Sequence, residues 1–310
     1  MRVWLAAVAI VACRVPDDQF PITDAPSPNN SDATLDAPGS SCATLDSFGG
    51  LVPVPSLGPA SSVARFSPDE LTAYFAIDTG SNTIQQLVYA TRNEIDDPFG
   101  SAMFVSAADS SDGQSAPTLS PDQLTLYYTW GEPPNQPSTA RDIYRVSRNS
   151  VMDAFSDPQP QTDVDDGSSA DDYASTDSVG DLWFGTSRLA SPTIRIYHAV
   201  RMTDASFDTP QPVVELDSPS DADYYPVLSQ DRLTVYFSRR LGGSGNFTLM
   251  TARRASPVDG FQQPTPVAIA GVTGSDNIRA GWISPDSCRL YVGNGAIAGG
   301  AITTYLVSRP

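Results

Sequence analysis

The sequence predicts an all-β fold, and three observations support this prediction. Pro (27) and Gly (22) are frequent among the 310 residues, and short runs rich in Val, Thr, Tyr and Phe recur between them. Such a composition is typical of many short strands joined by turns. A pattern of residues also returns five times at a spacing of roughly 54 residues. Each copy has room for about four strands, which predicts a single β-propeller of five four-stranded blades.

The first marker of the repeat is a turn of the type Ser-x-Asp, followed by an apolar strand. Its serines are 53 to 55 residues apart, at Ser67, Ser120, Ser175, Ser229 and Ser284. The aspartates of these turns are Asp69, Asp122, Asp177, Asp231 and Asp286. Proline presets φ in such turns, and aspartate binds nearby backbone amides. We therefore predict a structural role for these aspartates.

Two further markers follow in each unit, a short strand that ends in arginine and then a phenylalanine. The arginines are Arg92, Arg148, Arg201, Arg254 and Arg309, and the phenylalanines are Phe99, Phe155, Phe207 and Phe261. The fifth unit lacks its phenylalanine, but Phe48 precedes the first unit in the matching phase. We expect the N-terminal strand to complete the last blade, because ring closure removes an exposed strand edge. A six-bladed ring is the alternative.

The unit resembles the repeat of TolB-type propellers, in which Ser-Pro-Asp-Gly precedes an apolar strand and an Asp-Ile-Tyr strand follows. The run Ser120-Pro121-Asp122 matches the first motif without its glycine, and Asp142-Ile143-Tyr144 matches the second. The third unit departs most, with Thr176 in the place of proline and Ser178 in the place of glycine. The resemblance covers residues 48 to 310 and implies the fold, but such repeats serve many functions.

The N-terminus predicts export and a lipid anchor. Arg2 precedes an apolar run, Val3 to Ala12, which is too short to span a bilayer but suits the core of a signal peptide. The run Ile10-Val11-Ala12-Cys13 resembles the bacterial lipobox, in which the cysteine receives a lipid and becomes the new N-terminus. An ordinary signal peptide with an incidental cysteine is the alternative. We divide the chain into a signal peptide (1–12), a lipidated cysteine with a disordered tether (13–41) and the propeller (42–310).

The composition of the tether and its first residue refine this prediction. Residues 14 to 41 are rich in Pro, Asp, Asn and Ser and contain few large apolar residues, so we expect disorder there. No second apolar run is long enough to be transmembrane, and membrane contact is expected only through the lipid. Arg14 is not the aspartate that marks inner-membrane retention in enteric bacteria. We therefore expect the outer membrane or cell surface, with the propeller facing the periplasm or the exterior.

The two remaining cysteines fit the expected ring closure. Cys42 precedes the closing strand, and Cys288 lies in the blade that this strand would join. An exported protein meets an oxidising compartment, which permits disulfides. We predict a disulfide between Cys42 and Cys288, and two free thiols are the alternative.

A second acidic set lies between successive blades and suggests a binding face. The net charge of -18 argues against nucleic acid and anionic membrane surfaces as partners. The connections between blades open on one face of a propeller, near its channel. We assign a possible ligand or metal-binding face to Asp112, Asp166, Asp172, Asp221, Asp223 and Asp276. We expect no cofactor, although converging carboxylates on this face could bind Ca²⁺ or a cationic ligand, since hard cations prefer oxygen ligands. A solvated acidic rim is the alternative.

The sequence gives little support for any known arrangement of catalytic residues. His198 is the single histidine, and Glu132 and Glu215 with loop aspartates are the only carboxylates offered for glycoside hydrolysis. We assign no catalytic residue. The leading hypothesis is a monomeric binding or scaffold propeller that serves a protein or glycan at the bacterial envelope. The alternative is a carbohydrate-active propeller, similar to a glycoside hydrolase, that uses carboxylates of the channel.

Overall fold

The computed structural model describes residue 42 and the ranges 47–58, 60–79, 84–110, 112–131, 141–188, 194–243, 245–295 and 301–309. The predicted signal peptide, Cys13 and the tether lie outside these described residues, as does Glu132. Within the described ranges, no helix has both the length and the apolar character needed to cross a membrane.

Five four-stranded antiparallel sheets form the blades of the propeller. Blade one contains β3 (Arg65–Phe66), β4 (Thr72–Asp78), β5 (Gln85–Thr91) and β6 (Met103–Phe104). Blade two contains β7 (Gln114–Leu119), β8 (Thr125–Trp130), β9 (Asp142–Ser147) and β10 (Ser156–Pro160). Blade three contains β11 (Asp171–Thr176), β12 (Leu182–Thr186), β13 (Arg195–Ala199) and β14 (Gln211–Pro212). Blade four contains β15 (Ala222–Leu228), β16 (Thr234–Arg240), β17 (Phe247–Arg253) and β18 (Thr265–Pro266).

The fifth blade combines strands from both ends of the chain. Its strands are β20 (Ile278–Ile283), β21 (Arg289–Gly295), β22 (Ile302–Ser308) and, as the outermost strand, β2 (Val52–Pro53). The pairing of β2 with β22 is antiparallel, with Val52 opposite Leu306. The preceding β1 (Ser47–Phe48) pairs in parallel with β19 (Ala268–Ile269). The prediction of five blades closed by an N-terminal strand is confirmed, and the six-bladed alternative is wrong.

A disulfide fastens this closure. Cys42, just before β1, is bonded to Cys288, which lies in the turn that leads into β21. The two cysteines are 246 residues apart in the sequence. The predicted disulfide is therefore present, and it ties the closing segment to the blade that the segment completes.

The three markers of the repeat interlock within the blades. The Nε of Arg92 donates to the main-chain oxygen of Glu70, a turn residue in the left-handed conformation, at 2.9 Å. Its guanidinium lies over the ring of Phe99, 4.5 Å from the ring centre. In blade five the same stack joins Arg309 to Phe48 at 4.8 Å. The closing segment therefore supplies the phenylalanine that the fifth unit lacks, which explains why Phe48 is in phase with the repeat.

The repeated turn aspartates accept hydrogen bonds inside their turns. In blade two, Ser120 Oγ donates to Asp122 Oδ1 at 2.5 Å, and the N–H of Leu124 donates to the same oxygen at 3.0 Å. The equivalent aspartates of blades one, four and five make the same contacts: Asp69, Asp231 and Asp286. This is the local bonding expected of an aspartate in a turn.

The third turn is built differently, and the sequence match there needs correction. Asp177, and not Ser175, takes the place of the repeated serine. Its Oδ1 accepts the N–H of Asp181 at 3.0 Å, as the serine hydroxyl accepts a backbone N–H in the other blades. Gly180 then supplies the left-handed φ of +92° that non-glycine residues supply elsewhere. The match of Ser175 to the repeated serine is wrong, because a carboxylate replaces the hydroxyl and the turn is one residue shorter.

The apolar core is divided among five clusters of the described chain, each between two neighbouring blades. Between blades one and two, Tyr74 packs with Leu126 and Tyr128. Between blades three and four, the fully buried Trp183 packs with Phe237. Since every blade buries apolar surface against both of its neighbours, the ring must close for this burial to be complete.

Candidate functional site

The innermost strands of the blades (β3, β7, β11, β15 and β20) line the axis of the propeller and define a channel with two different ends. The Ser-x-Asp turns lie at one end, which we call the turn end. The connections between blades, and the hairpins between the second and third strands, lie at the opposite end, which we call the loop end. The acidic face predicted from the sequence falls at the loop end, because its residues precede or begin the innermost strands.

Two adjacent carboxylates at the start of β11 are each held by an arginine. Asp171 Oδ2 lies 2.6 Å from Arg188 Nη2, and Asp172 Oδ2 lies 2.6 Å from Arg141 Nη1. Asp172 Oδ1 also accepts the hydroxyl of Thr129, on the neighbouring blade, at 2.9 Å. Both aspartates are buried. Arginines that are distant from them in the sequence or on another strand therefore compensate their charges.

The equivalent carboxylate of blade four is held in the same manner. Asp223 is fully buried, and its two oxygens accept Nε and Nη2 of Arg239 at 2.7 and 2.9 Å. This bidentate geometry is the strongest common form of an arginine–carboxylate pair. Two of the predicted face residues, Asp172 and Asp223, therefore belong to internal ion pairs.

The other four predicted face residues lie in the loops of the loop end. Asp166 Oδ1 accepts the N–H of Ser169 at 2.9 Å, Asp221 Oδ1 that of Gly242 at 2.9 Å, and Asp276 Oδ2 that of Thr273 at 2.8 Å. The main-chain oxygen of Asp112 accepts the hydroxyl of Ser110 at 2.8 Å. These contacts hold the conformations of separate loops. The structure does not gather the six predicted residues into a single cluster among the described residues.

Two groups of the described chain have ligand-type atoms within 4.8 Å of one another: Asp165, Asp166 and Asp171, and Asp177, Asp181 and His198. An arginine already lies against each group. Arg188 Nε is 3.4 Å from Asp166, and Arg232 is 2.8 Å from both Asp177 and Asp181. The protein itself supplies positive charge to these carboxylates, and Ca²⁺ binding stays a prediction.

The residues considered for catalysis are placed apart from one another. His198 Nε2 lies 3.2 Å from Asp181 Oδ2, and its ring stacks on Trp183 with 4.1 Å between the ring centres. This pair belongs to the turn end. Glu215 is exposed in a 3-10 helix (Val214–Leu216) on a connection between blades. No arrangement of a nucleophile with a base is formed by these two residues.

Two carboxyl groups at the loop end have raised pKa values. Burial raises the pKa of Asp142 to about 6, with a further contribution from the nearby carboxylate of Asp165. Burial also raises the pKa of Asp171 to about 6, although Arg188 opposes that shift. Both groups therefore change charge within the range in which acid–base catalysis operates.

Replacing Asp142 by asparagine is expected to raise the melting temperature at about pH 7.5 and to change it little at about pH 3.5, below the ordinary pKa of 3.8. A raised pKa means that the folded protein holds this proton more tightly than the unfolded chain does. Stability is therefore lost as the pH rises from the ordinary pKa of 3.8 to the folded pKa of about 6. Asparagine does not ionise and avoids this cost. Thermal unfolding at both pH values is the measurement.

The control for this prediction is Asp157→Asn, because Asp157 is an exposed carboxylate of the outermost strand of blade two. It should leave the melting temperature unchanged at both pH values. An Asp142→Asn variant that is destabilised at the higher pH would contradict the assigned direction of the pKa shift.

Aromatic rings lie beside the arginines near the loop end. Tyr173 and Tyr225 occupy bulges of the innermost strands, with φ of +54° and +55°, and their ring centres are 4.1 Å apart. The half-buried Tyr224 packs edge-on against Phe247 at 5.2 Å. Arg279 lies over the same phenylalanine at 5.0 Å. Blades three to five thus bring aromatic and cationic groups together next to the buried ion pairs.

Sequence reasoning missed a second set of residues, at the turn end of the channel. Five equivalent positions, each two residues before the first residue of the repeated turn, line a cavity of about 220 Å³. They are Arg65, Thr118, Ser175, Val227 and Trp282. The sequence does contain a signal for this set, because the five equivalent positions carry different residue types. A position that served only to build the blade would carry the same residue type in each repeat.

Comparisons with known proteins support the fold. No protein-family model matches the sequence, and no curated protein matches it. The chain is similar to a protein from Agrobacterium tumefaciens that is assigned as TolB (TM-score 0.51, 15% identity, 83% of this chain and 78% of that chain). It is also similar to an α-L-arabinofuranosidase from Podospora anserina in complex with cellotriose (0.51, 11%, 85% and 97%). A glycoside hydrolase gives 0.55 at 14% identity, over 79% of this chain and 58% of that chain. At such identities the likeness shows a β-propeller fold alone.

Proposed function

We propose that this protein is a binding or scaffold propeller without catalytic activity, displayed at the bacterial envelope, whose loop end receives a glycan or a protein. The observation that carries this proposal is the pairing of the buried loop-end carboxylates with arginines. Asp172 and Asp223 are each within 2.7 Å of a guanidinium nitrogen. A carboxylate fixed in an ion pair serves poorly as a general acid or base, because its oxygens are already bound to the guanidinium and are not free to exchange a proton with a substrate.

The chemistry beside these pairs suits a ligand rich in hydroxyl groups. Tyr224 offers a half-buried phenol ring, and the half-buried Arg240 lies over the ring of Phe247 at 5.4 Å. Aromatic rings can pack on the faces of sugar rings, and guanidinium groups can donate to sugar hydroxyls. The same mixture of aromatic residues and arginine is enriched in protein interfaces. A glycan is therefore tested first and a protein second.

The disulfide is consistent with a location outside the cytoplasm, since disulfides persist in oxidising compartments. The lipidated Cys13 remains part of the proposal and would hold the propeller at the outer membrane or cell surface. Fractionation of cells that express the full chain tests this part. Loss of membrane association in a Cys13→Ala variant is expected, and unchanged membrane association would contradict lipid anchoring at this residue.

A panel of cell-envelope glycans titrated calorimetrically against the full chain tests the binding proposal. A saturable heat with one glycan class is expected. Tyr224→Ala should weaken that binding roughly tenfold, as the loss of a central aromatic contact does in many interfaces. The matched control is Tyr305→Ala, which removes a half-buried tyrosine from the third strand of blade five. Equal affinities in wild type and Tyr224→Ala would contradict a glycan site at the loop end and lead to a search for protein partners.

The second candidate function is a carbohydrate-active propeller. The specific observation in its favour is the pair of raised pKa values of Asp142 and Asp171, both about 6, because a glycosidase needs one carboxyl group that stays protonated near neutral pH. Its test is product release from aryl glycosides and envelope glycans. Turnover that is abolished by Asp171→Asn would replace the binding proposal with this one.

A further inference from the structure

The cavity at the turn end contains a buried cation. Arg65 belongs to β3, the innermost strand of blade one, and its side chain lines the cavity of about 220 Å³ described above. Only 4% of the residue is exposed to solvent. Burial lowers the pKa of the Arg65 guanidinium to about 10, which leaves the group protonated at neutral pH.

This guanidinium has no partner in the part of the chain that the structure describes. No hydrogen bond or ion pair of the Arg65 side chain is found there, and its Nη2 is buried without an acceptor. The one ionisable neighbour that acts on it is the phenol of Tyr225. By contrast, the buried guanidinium of Arg239 at the loop end donates to both carboxylate oxygens of Asp223. A buried charge without a partner is strongly unfavourable.

Hydroxyl-bearing residues of the neighbouring blades line the same cavity. Ser175 is 2% exposed, and its Oγ has no hydrogen-bond partner. Thr118 is buried at the equivalent position of blade two. Asp177 also lines the cavity, but its Oδ2 is bound to Arg232 at 2.8 Å and to Trp183 Nε1 at 3.2 Å. Arg65 and Ser175 therefore each have a polar group that can donate a hydrogen bond and has no partner among the described residues.

A buried cation without a carboxylate partner, beside an open cavity, favours an anionic ligand. We propose that this cavity binds a small organic carboxylate, with its two oxygens against the guanidinium of Arg65 and the hydroxyl of Ser175. The planar guanidinium matches the two oxygens of a carboxylate. Trp282 also lines the cavity, and its large apolar ring suits an apolar group on the ligand. This site is separate from the loop end and goes beyond the proposed function.

Calorimetric titration of the full chain in a chloride-free buffer tests the proposal, with benzoate, acetate and inorganic phosphate as probes. Benzoate is expected to bind saturably at one site and to raise the melting temperature, acetate to bind more weakly, and phosphate to bind least. Arg65→Gln should weaken benzoate binding roughly tenfold or more, because it removes a charge-assisted pair. The control is Arg145→Gln, which removes a half-buried arginine from the third strand of blade two and should leave binding unchanged.

A second variant keeps the test informative if Arg65→Gln fails to fold. Ser175→Ala removes one donor at nearly constant volume and should weaken benzoate binding several-fold. Absence of binding by all three probes would overturn the proposal, as would equal binding by wild type and Ser175→Ala. Tighter binding of phosphate than of benzoate would overturn the carboxylate assignment. Glycan binding at the loop end, measured on the same Arg65→Gln protein, should be unaffected, so the two proposals fail separately.

Discussion

Replacing both Cys42 and Cys288 by alanine is expected to lower the free energy of unfolding by about 4 to 5 kcal/mol. The disulfide joins residues 246 positions apart, and a cross-link over so long a loop restricts the unfolded chain strongly. It also ties the segment that carries Phe48 and β2 to blade five. Denaturant unfolding, followed by tryptophan fluorescence in the wild type and the double variant, measures the difference.

Cys13→Ala is the control for this prediction, because it removes a cysteine that is not part of the disulfide. It should unfold at the same denaturant concentration as the wild type. A double Cys42→Ala and Cys288→Ala variant with an unchanged midpoint and slope would show that the closing segment is held without the bond, and that the disulfide does not secure the ring.

Replacing Asp223 by alanine is expected to cost about 3 to 5 kcal/mol, because it leaves Arg239 buried without its partner. Asp223 is fully buried, and Arg239 is 8% exposed. Burial raises the pKa of the Asp223 carboxyl, and the hydrogen bonds from Arg239 counteract that rise. The loss should appear as a lower midpoint of denaturant unfolding at neutral pH.

A double variant separates the cost of an orphaned charge from the cost of lost packing. Asp223→Leu combined with Arg239→Met removes both charges, and it should recover most of the stability that Asp223→Ala loses. The exposed-loop control is Asp221→Ala, which removes a carboxylate bound to Gly242 and Ser218 and should have a small effect. If the double variant were as unstable as Asp223→Ala, the buried pair itself would be the source of stability.

The ring and its closure could be predicted because each repeat marker has one structural task. Ser-x-Asp makes a turn, the strand-end arginine bonds to that turn, and phenylalanine stacks on the arginine. Each copy of a marker therefore indicates one position in a blade. This holds for Phe48 too, although it comes from the N-terminal segment and most of blade five comes from the C-terminal end. The third unit was misaligned because Asp177 performs the task of a serine hydroxyl, and identity of residues does not reveal identity of roles.

The residues of the predicted acidic face lie at one end of the channel, but their pairing with arginines could not be predicted. The pairing of Asp172 with Arg141 depends on the bulge at Tyr173 and on the contact between neighbouring strands. Neither is visible in a linear spacing. Arg65 was missed for a different reason. It lies two residues before a repeated serine, where the other blades carry uncharged residues, and only the closed ring brings these positions together.

The most direct test of the proposed function is a single titration in which envelope glycans are added to the full chain while heat and product are measured together. The ion-paired loop end predicts a saturable heat that Tyr224→Ala weakens, with no change in the glycan after prolonged incubation. Release of a shortened glycan that Asp171→Asn abolishes would contradict the account and identify the loop end as a catalytic site.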